Sequence, residues 1–304
     1  MYSRREFGKL TVSGLAWPLV AGLVDSNIGG VRVGVQTYSF RDLPRSENGD
    51  GIDAVIKAMT ECRLGECELF APQIEPLLPS GRGRGADTVQ AQKAREDLRK
   101  WRVETPLDHF RAIRRRFEAA GLSIYAYNYS FNASMTDEEI DRGFEMTRAL
   151  GAEIITASTN LTVATRVVPF ANKHKTVVAM HGHSNASDPN EFCTPESFAA
   201  AMKMSTYFKV NLDIGHFTAA NFDAIAYIRE HHNDITNLHL KDRKKSQGDN
   251  VPWGQGDTPI RQVLSLLKEK RWPIRAYIEY EYRGTGTSIE EVKKCYEYAK
   301  HALA

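Results

Sequence analysis

The sequence predicts an α/β chain: a closed (β/α)8 TIM barrel, a single domain behind an N-terminal signal segment. Three observations carry that prediction. Short β-rich apolar runs alternate strictly with helix-like segments through eight units, the pattern of parallel βαβ packing. The chain has 304 residues, and barrels of this kind occupy about 250 residues as one unit. Metal-competent side chains recur near the ends of the last four strands, and the C-terminal ends of barrel strands converge on one point. No Gly-x-Gly-x-x-Gly follows the first strand, so an open dinucleotide-binding sheet lacks its fingerprint.

Residues 1–30 read as an address rather than as fold. Ser3-Arg4-Arg5-Glu6-Phe7-Gly8-Lys9 precedes the apolar stretch Leu10–Val24, which is short for a membrane span and has no amphipathic period. The segment resembles a twin-arginine export signal. Export of an already folded, periplasmic or extracytoplasmic protein is the expectation, with the membrane touched only through the signal. No clean Ala-x-Ala site follows, which leaves removal and retention both open. Cys62, Cys67, Cys193 and Cys295 show no Cys-x-x-Cys spacing and are read as reduced and structural.

Residues 31–304 form the barrel. The first strand is Arg32–Phe40, followed by a helix ending at Gly65; Glu66–Pro72 is the second strand. A polar, Gly/Arg-rich excursion over residues 73–105 is longer than an ordinary βα loop. A substrate lid, an oligomer contact and a plain surface insertion all fit it. The next helix should be capped by Thr105 and close at Gly121. Strand three spans Ser123–Phe131, and Thr136 caps the helix after it. EIITAST is strand four, followed by a helix in which Pro169 is a candidate kink or break. TVVAMHGHS is strand five, then a helix with Thr194 as N-cap and Pro195 in its first turn. KVNLDIGHF, ITNLHLKD and IRAYIEYEY are strands six to eight, and SIEEVKKCYEYAKHAL closes the chain.

Side chains alternate faces along a strand. Ala179, His181 and His183 oppose Val178 and Met180. Asn211 and Asp213 oppose Val210, Leu212 and Ile214. Asn237, His239 and Lys241 oppose Leu238 and Leu240, and Tyr277, Glu279 and Glu281 oppose Ala276 and Ile278. Buried barrel strands need apolar residues toward the helices, so the polar parity belongs to the lumen. A lone strand-end histidine is ordinarily structural, but four agreeing strands point to a site. His181, Asp213, His239 and Glu279 are the expected ligands. Two imidazoles and two carboxylates without thiolate suit a divalent ion, Mn²⁺ first in expectation, with Zn²⁺, Co²⁺ or Fe²⁺ as alternatives. His183, His216, Lys241 and Glu281 lie close enough to bind substrate or move protons. Glu281 could also be a solvated loop residue, and Lys241–Asp242 a surface pair. Glu68 either enters the lumen or bonds a structural partner. Tyr125, Tyr127 and Tyr129 share one face and read as core. Tyr38, Phe40 and Trp253 are the candidates for stacking on a sugar.

These residues carry a resemblance to the xylose-isomerase-like barrel superfamily of sugar (phosphate) isomerases and epimerases. It runs from GVQTYSFRD on the first strand to IEYE on the last. Its most specific parts are Asp213-Ile-Gly-His216, His239-Leu-Lys-Asp242, Gly254-Gln-Gly-Asp-Thr-Pro259 and Glu279. The resemblance implies metal binding by Asp213, His239 and Glu279, and substrate contact by His216. One departure matters: the ketose 3-epimerase branch has a glutamate, which also serves as acid/base, where this chain has His181. The His-Gly-His form looks like subfamilies, often exported, with His-Asn-His at this place.

The expected activity is a metal-dependent sugar isomerase or epimerase that abstracts a proton next to a carbonyl through a metal-stabilised enediolate. Glu279 or Glu281 would be the base, Lys241 a charge stabiliser, and His183 or His216 the proton donor. A lyase that eliminates the aglycone from 3-keto-glycosides and a non-catalytic sugar-binding barrel are the alternatives. The expected partner is a small sugar or glycoside, with room for a homo-oligomer. A net charge of +2 without a basic stripe argues against nucleic acid.

Overall fold

The computed structural model describes residues 23–45, 49–77 and 89–304. The twin-arginine-like stretch therefore lies outside the described residues up to position 22. Eight strands form the barrel: β1 (Val31–Gln36), β2 (Glu66–Phe70), β3 (Ser123–Asn128), β4 (Ile154–Ser158), β5 (Val177–His181), β6 (Phe208–Asp213), β7 (Ile235–Leu240) and β8 (Arg275–Ile278). Each pairs in parallel with the next, and β1 pairs with both β8 and β2, closing the sheet. No described helix is long and apolar enough to cross a membrane.

The folded unit begins before residue 31. Asn27 and Ile28 turn back antiparallel onto Arg32 and Val31 through Gly29 and Gly30, both at positive φ, as a two-residue hairpin turn requires. Val24 N–H donates to Gly121 O at 3.0 Å. Residues 24–30, assigned by sequence to the signal, thus belong with the N-terminal face of the barrel.

The alternation of faces holds on the four site-bearing strands. Val178, Met180, Val210, Leu212, Leu238, Leu240, Ala276 and Ile278 join the main core between sheet and helices. Ala179 and Tyr277 belong to a separate lumen cluster with Tyr125, Ala126 and Ile154. Tyr125 therefore parts company with Tyr127 and Tyr129, which lie in the outer core. The cause is a bulge: Cys67 pairs with Ile124 and Glu68 with Ala126, so the register skips Tyr125 and the alternation shifts by one.

Local chemistry sets most helix ends. Thr136 and Glu139 form a capping box on α4 (Asp137–Ala149), and Thr194 caps α6 (Pro195–Met204) with Pro195 in the first turn. Helix α5 (Leu161–His174) continues through Pro169. Thr105 is not a cap: α3 (Leu107–Ala119) starts from Pro106 with no side-chain cap bond. The polar excursion contains a regular helix, α2 (Val89–Glu104). It docks by charge more than by an apolar stripe. Arg102, buried, sits 2.7 Å from Glu75 and 3.4 Å from Glu139.

The lumen floor depends on one missing side chain. Tyr277 pairs with Gly34 across β8–β1, and its hydroxyl donates to Glu66 at 2.6 Å. A Cβ at position 34 would overlap the Tyr277 ring and the Glu66 carbonyl. Gly34→Ala is expected to cost about 1–3 kcal/mol by overpacking, read as a lower midpoint in urea unfolding; an unchanged midpoint would mean the ring can withdraw.

Candidate metal centre

The C-terminal end of the lumen collects the side chains that the strand parity selected. His181 ends β5, Asp213 ends β6, His239 sits on β7, and Glu279 follows β8. All four are buried, and one potential donor atom from each lies within 4.8 Å of the others. His181 Nδ1 is buried without a hydrogen bond, Asp213 Oδ2 and Glu279 Oε2 both turn to the one ammonium of Lys241, and His239 Nδ1 stands 3.4 Å from Glu279 Oε2. Four converging polar atoms served by so few hydrogens in a dry interior are costly. A divalent cation would satisfy them together.

Beneath them sits Glu68, fully buried. It accepts from Gln36 Nε2 at 2.8 Å, Asn128 Nδ2 at 3.1 Å, Asn237 Nδ2 at 2.9 Å and Asn211 Nδ2 at 3.3 Å. It also lies 2.9 Å from His239 Nε2. Surrounded by donors, the carboxylate accepts, so Nε2 carries a hydrogen and Nδ1 faces the cluster. That is the arrangement by which a second carboxylate orients a ligating imidazole. Both sequence readings of Glu68 hold at once: it enters the lumen and it bonds structural partners.

Lys241 is the other organiser. Its buried ammonium stands 3.0 Å from Asp213 Oδ2 and 2.8 Å from Glu279 Oε2, touches Glu281 and lies 3.1 Å from His216 Nε2. Gly215 makes room for it, since a Cβ there would overlap the Lys241 side chain. The electrostatics follow from burial and crowding. Burial, reinforced by Glu279, lifts the Asp213 carboxyl to about 7 despite Lys241. Burial also opposes ionisation of Glu279, but Lys241 and His239 outweigh it and hold that carboxyl well below its usual range. Burial would strip the proton from His239, yet Glu68 and Glu279 push its pKa well up. His181 and His216 go the other way: burial first, then neighbouring positive charge, holds both well down. One ammonium serves three carboxylates, and the pocket retains an appetite for positive charge.

A cavity of about 350 Å³ opens above the cluster, lined by Tyr38, Phe70, His183, His216 and Glu281 among others. His216 lies not on the strand but on the short helix α7 (Ile214–Ala219), whose N-cap is Asp213. Arg243 donates to its Nδ1 at 2.7 Å. His183 Nε2 lies 3.1 Å from Ser158 Oγ. Of the three proposed stacking aromatics, only Tyr38 lines this cavity. Phe40 is 1% exposed and packs in the outer core, because Thr37–Phe40 winds into a 3-10 turn and breaks strand alternation. Trp253 packs edge-on against Tyr298, with centroids 5.7 Å apart, on the helix side. Lys241 and Asp242 are not a surface pair, since both are 2% exposed. Asp242 instead accepts from Gly254 N at 2.7 Å, Gly256 N at 2.9 Å and Thr258 N at 3.2 Å, shaping the Gly-rich loop. Sequence reasoning missed Gln36, Asn128 and Arg243. Asn128 was hidden by the β3 bulge, whereas Asn211 and Asn237 carried a signal in their lumen parity.

Residues 82–300 match the family model described as xylose isomerase-like TIM barrel, and the chain belongs to that family. No curated protein matches the sequence. Among solved structures, a sugar phosphate isomerase/epimerase from Parabacteroides distasonis aligns at 17% identity and TM-score 0.60, covering 93% of this chain and 99% of its own. The IOLI protein with a binding zinc atom aligns at 12% and 0.62, covering 90% and 98%. A 3-keto-D-glucoside 4-epimerase from E. coli aligns at 11% and 0.59, covering 89% and 99%. These likenesses establish the shared fold.

Glu68→Leu strands several buried donors at once. It is expected to lower stability by at least about 3 kcal/mol, measured by denaturant unfolding. A loss under about 1 kcal/mol would show that the lumen amides find other acceptors.

Proposed function

We propose that this chain is a divalent-metal-dependent sugar isomerase or epimerase that works by proton abstraction next to a carbonyl. The single observation carrying the proposal is the convergence of one potential ligand atom from each of four buried side chains, His181, Asp213, His239 and Glu279, at the mouth of the barrel. These residues would hold the ion, and two imidazoles with two carboxylates suit Mn²⁺ first, then Zn²⁺, Co²⁺ or Fe²⁺. When bound, the ion supplies Lewis-acid stabilisation of negative charge on substrate oxygens.

The chain's own groups supply the rest. Glu281 lines the cavity and is not among the four donors, so it is the better-placed base than Glu279. Lys241, held between the carboxylates, stabilises the negative charge left on the substrate oxygen once Glu281 has taken the proton. His183 and His216 line the same cavity and are placed to return a proton. Arg243 stands 2.7 Å from Nδ1 of His216 and Lys241 3.1 Å from its Nε2, which fixes the ring between two cations. Return to the neighbouring carbon gives isomerisation, and return to the opposite face of the same carbon gives epimerisation. Because His181 is an imidazole, a symmetrical pair of glutamates is not available. Loss of a β-substituent from the same enediolate would instead give elimination, a lyase reaction.

Protein dialysed against Mn²⁺ or Zn²⁺ and then freed of excess is expected to retain about one ion per chain by elemental analysis. Asp213→Ala and Glu279→Gln should each weaken binding at least tenfold. Wild-type protein that retains no ion would end the metalloenzyme reading. In D₂O, candidate ketoses and 3-keto-glycosides are expected to take up deuterium at the carbon beside the carbonyl, followed by NMR. Glu281→Gln should slow that exchange by about 10²–10⁴-fold, and an unchanged rate would assign the base elsewhere. An intact deuterated sugar marks isomerisation or epimerisation, and a released aglycone marks elimination.

A further inference from the structure

A second cavity, of about 460 Å³, lies beside the one above the metal-ligand cluster. Both volumes fall in the small-ligand range of roughly 300–1,000 Å³. The two share a wall, since Ser158 and His183 line both, and these two residues are joined at 3.1 Å. A ligand lying over that pair therefore enters both spaces.

The far cavity has the chemistry of a neutral polyol site. Asn132 Oδ1 is committed to Ser134 N at 3.0 Å, and Asn185 Oδ1 to Ser187 N at 3.3 Å. Each amide is thereby oriented with its NH₂ left as a donor. Asp188 Oδ1 accepts from Asn190 N at 2.8 Å, and the carboxylate has a second oxygen for acceptance. Fixed donors interleaved with acceptors match sugar hydroxyls, which need both. Asp188 and Glu191 line the space, and its described lining contains no lysine or arginine. A phosphate or uronate would meet like charge there. The rim is built before any ligand arrives: His183 N donates to Phe192 O at 2.7 Å and Leu161 N to Asn190 O at 2.9 Å. Little ordering cost remains for binding.

We propose that the substrate is a glycoside with two rings. The reacting sugar lies in the cavity above the cluster, and an uncharged second ring lies among Asn132, Asn185 and Asp188. The glycosidic bond crosses the Ser158–His183 ridge. This assignment rests on the sugar reading of the first cavity and names its substrate class.

The test uses calorimetry on the Mn²⁺-loaded full chain. The probes are methyl 3-keto-glucosides and 3-keto-galactosides against maltose, cellobiose, lactose and melibiose oxidised to the ketone at C3 of the non-reducing ring. At least one disaccharide is expected to bind about tenfold more tightly than its methyl glycoside, the yield of one or two added hydrogen bonds. Ala133→Trp fills the second cavity from an exposed position on its rim. It should erase that gain while leaving methyl glycoside affinity within about twofold. Asp188→Ala, a smaller change, should erode the same gain by about threefold. Equal affinities for one-ring and two-ring sugars, or equal losses for both in Ala133→Trp, would overturn the second subsite and leave the sugar reading standing. Failure of every saccharide to bind would overturn both.

Discussion

One buried carboxylate underlies the architecture of the site. Glu68 lies at the centre of the lumen and draws together Gln36 from β1, Asn128 from β3, Asn211 from β6, and Asn237 and His239 from β7. Those contacts span strands far apart in sequence. A barrel needs its interior filled, and here the filling is a hydrogen-bonded polar layer above an apolar floor of Ala179, Ile154 and Tyr277. The layer is expensive to desolvate, so it is stable only when nearly every donor meets an acceptor. The same layer sets the face that His239 turns toward the cluster. Packing and chemistry are two uses of one network.

Above that layer, the balance of charge is deliberately uneven. Asp213, Glu279 and Glu281 compete for the single ammonium of Lys241, and His239 stands between Glu68 and Glu279. Removing charge from water is costly, so a pocket of this kind persists only if some cation compensates it. The divergent directions of the Asp213 and Glu279 pKa values express the same shortage. Burial raises one while the shared positive neighbours depress the other.

The fold and the convergence of His181, Asp213, His239 and Glu279 were largely legible in the sequence because both follow from period-two alternation. Val178/Met180 against His181, and Leu238/Leu240 against His239, state the two faces outright, and the core clusters divide along that line. The family model agrees with the resemblance that the Asp213–His216 and His239–Asp242 motifs carry. What escaped lies where alternation fails. A bulge reassigned Tyr125 and hid Asn128. A 3-10 turn carried Phe40 into the outer core. A helical turn beginning after Asp213 placed His216. Helix α2 was invisible to an apolar periodicity because Arg102, between Glu75 and Glu139, does the anchoring that a hydrophobic stripe usually does.

Gly215 carries a wider lesson. It bears no functional atom, yet the room beside its bare α-carbon is what lets the Lys241 chain pass to the carboxylates. Two barrels could share every ligand and every acid or base and still differ in chemistry through this position alone. A methyl group there would shift an ammonium and so redistribute the charge of the whole pocket. In comparing relatives of this chain, the empty volumes between functional side chains therefore form part of the active-site signature, as informative as the side chains themselves.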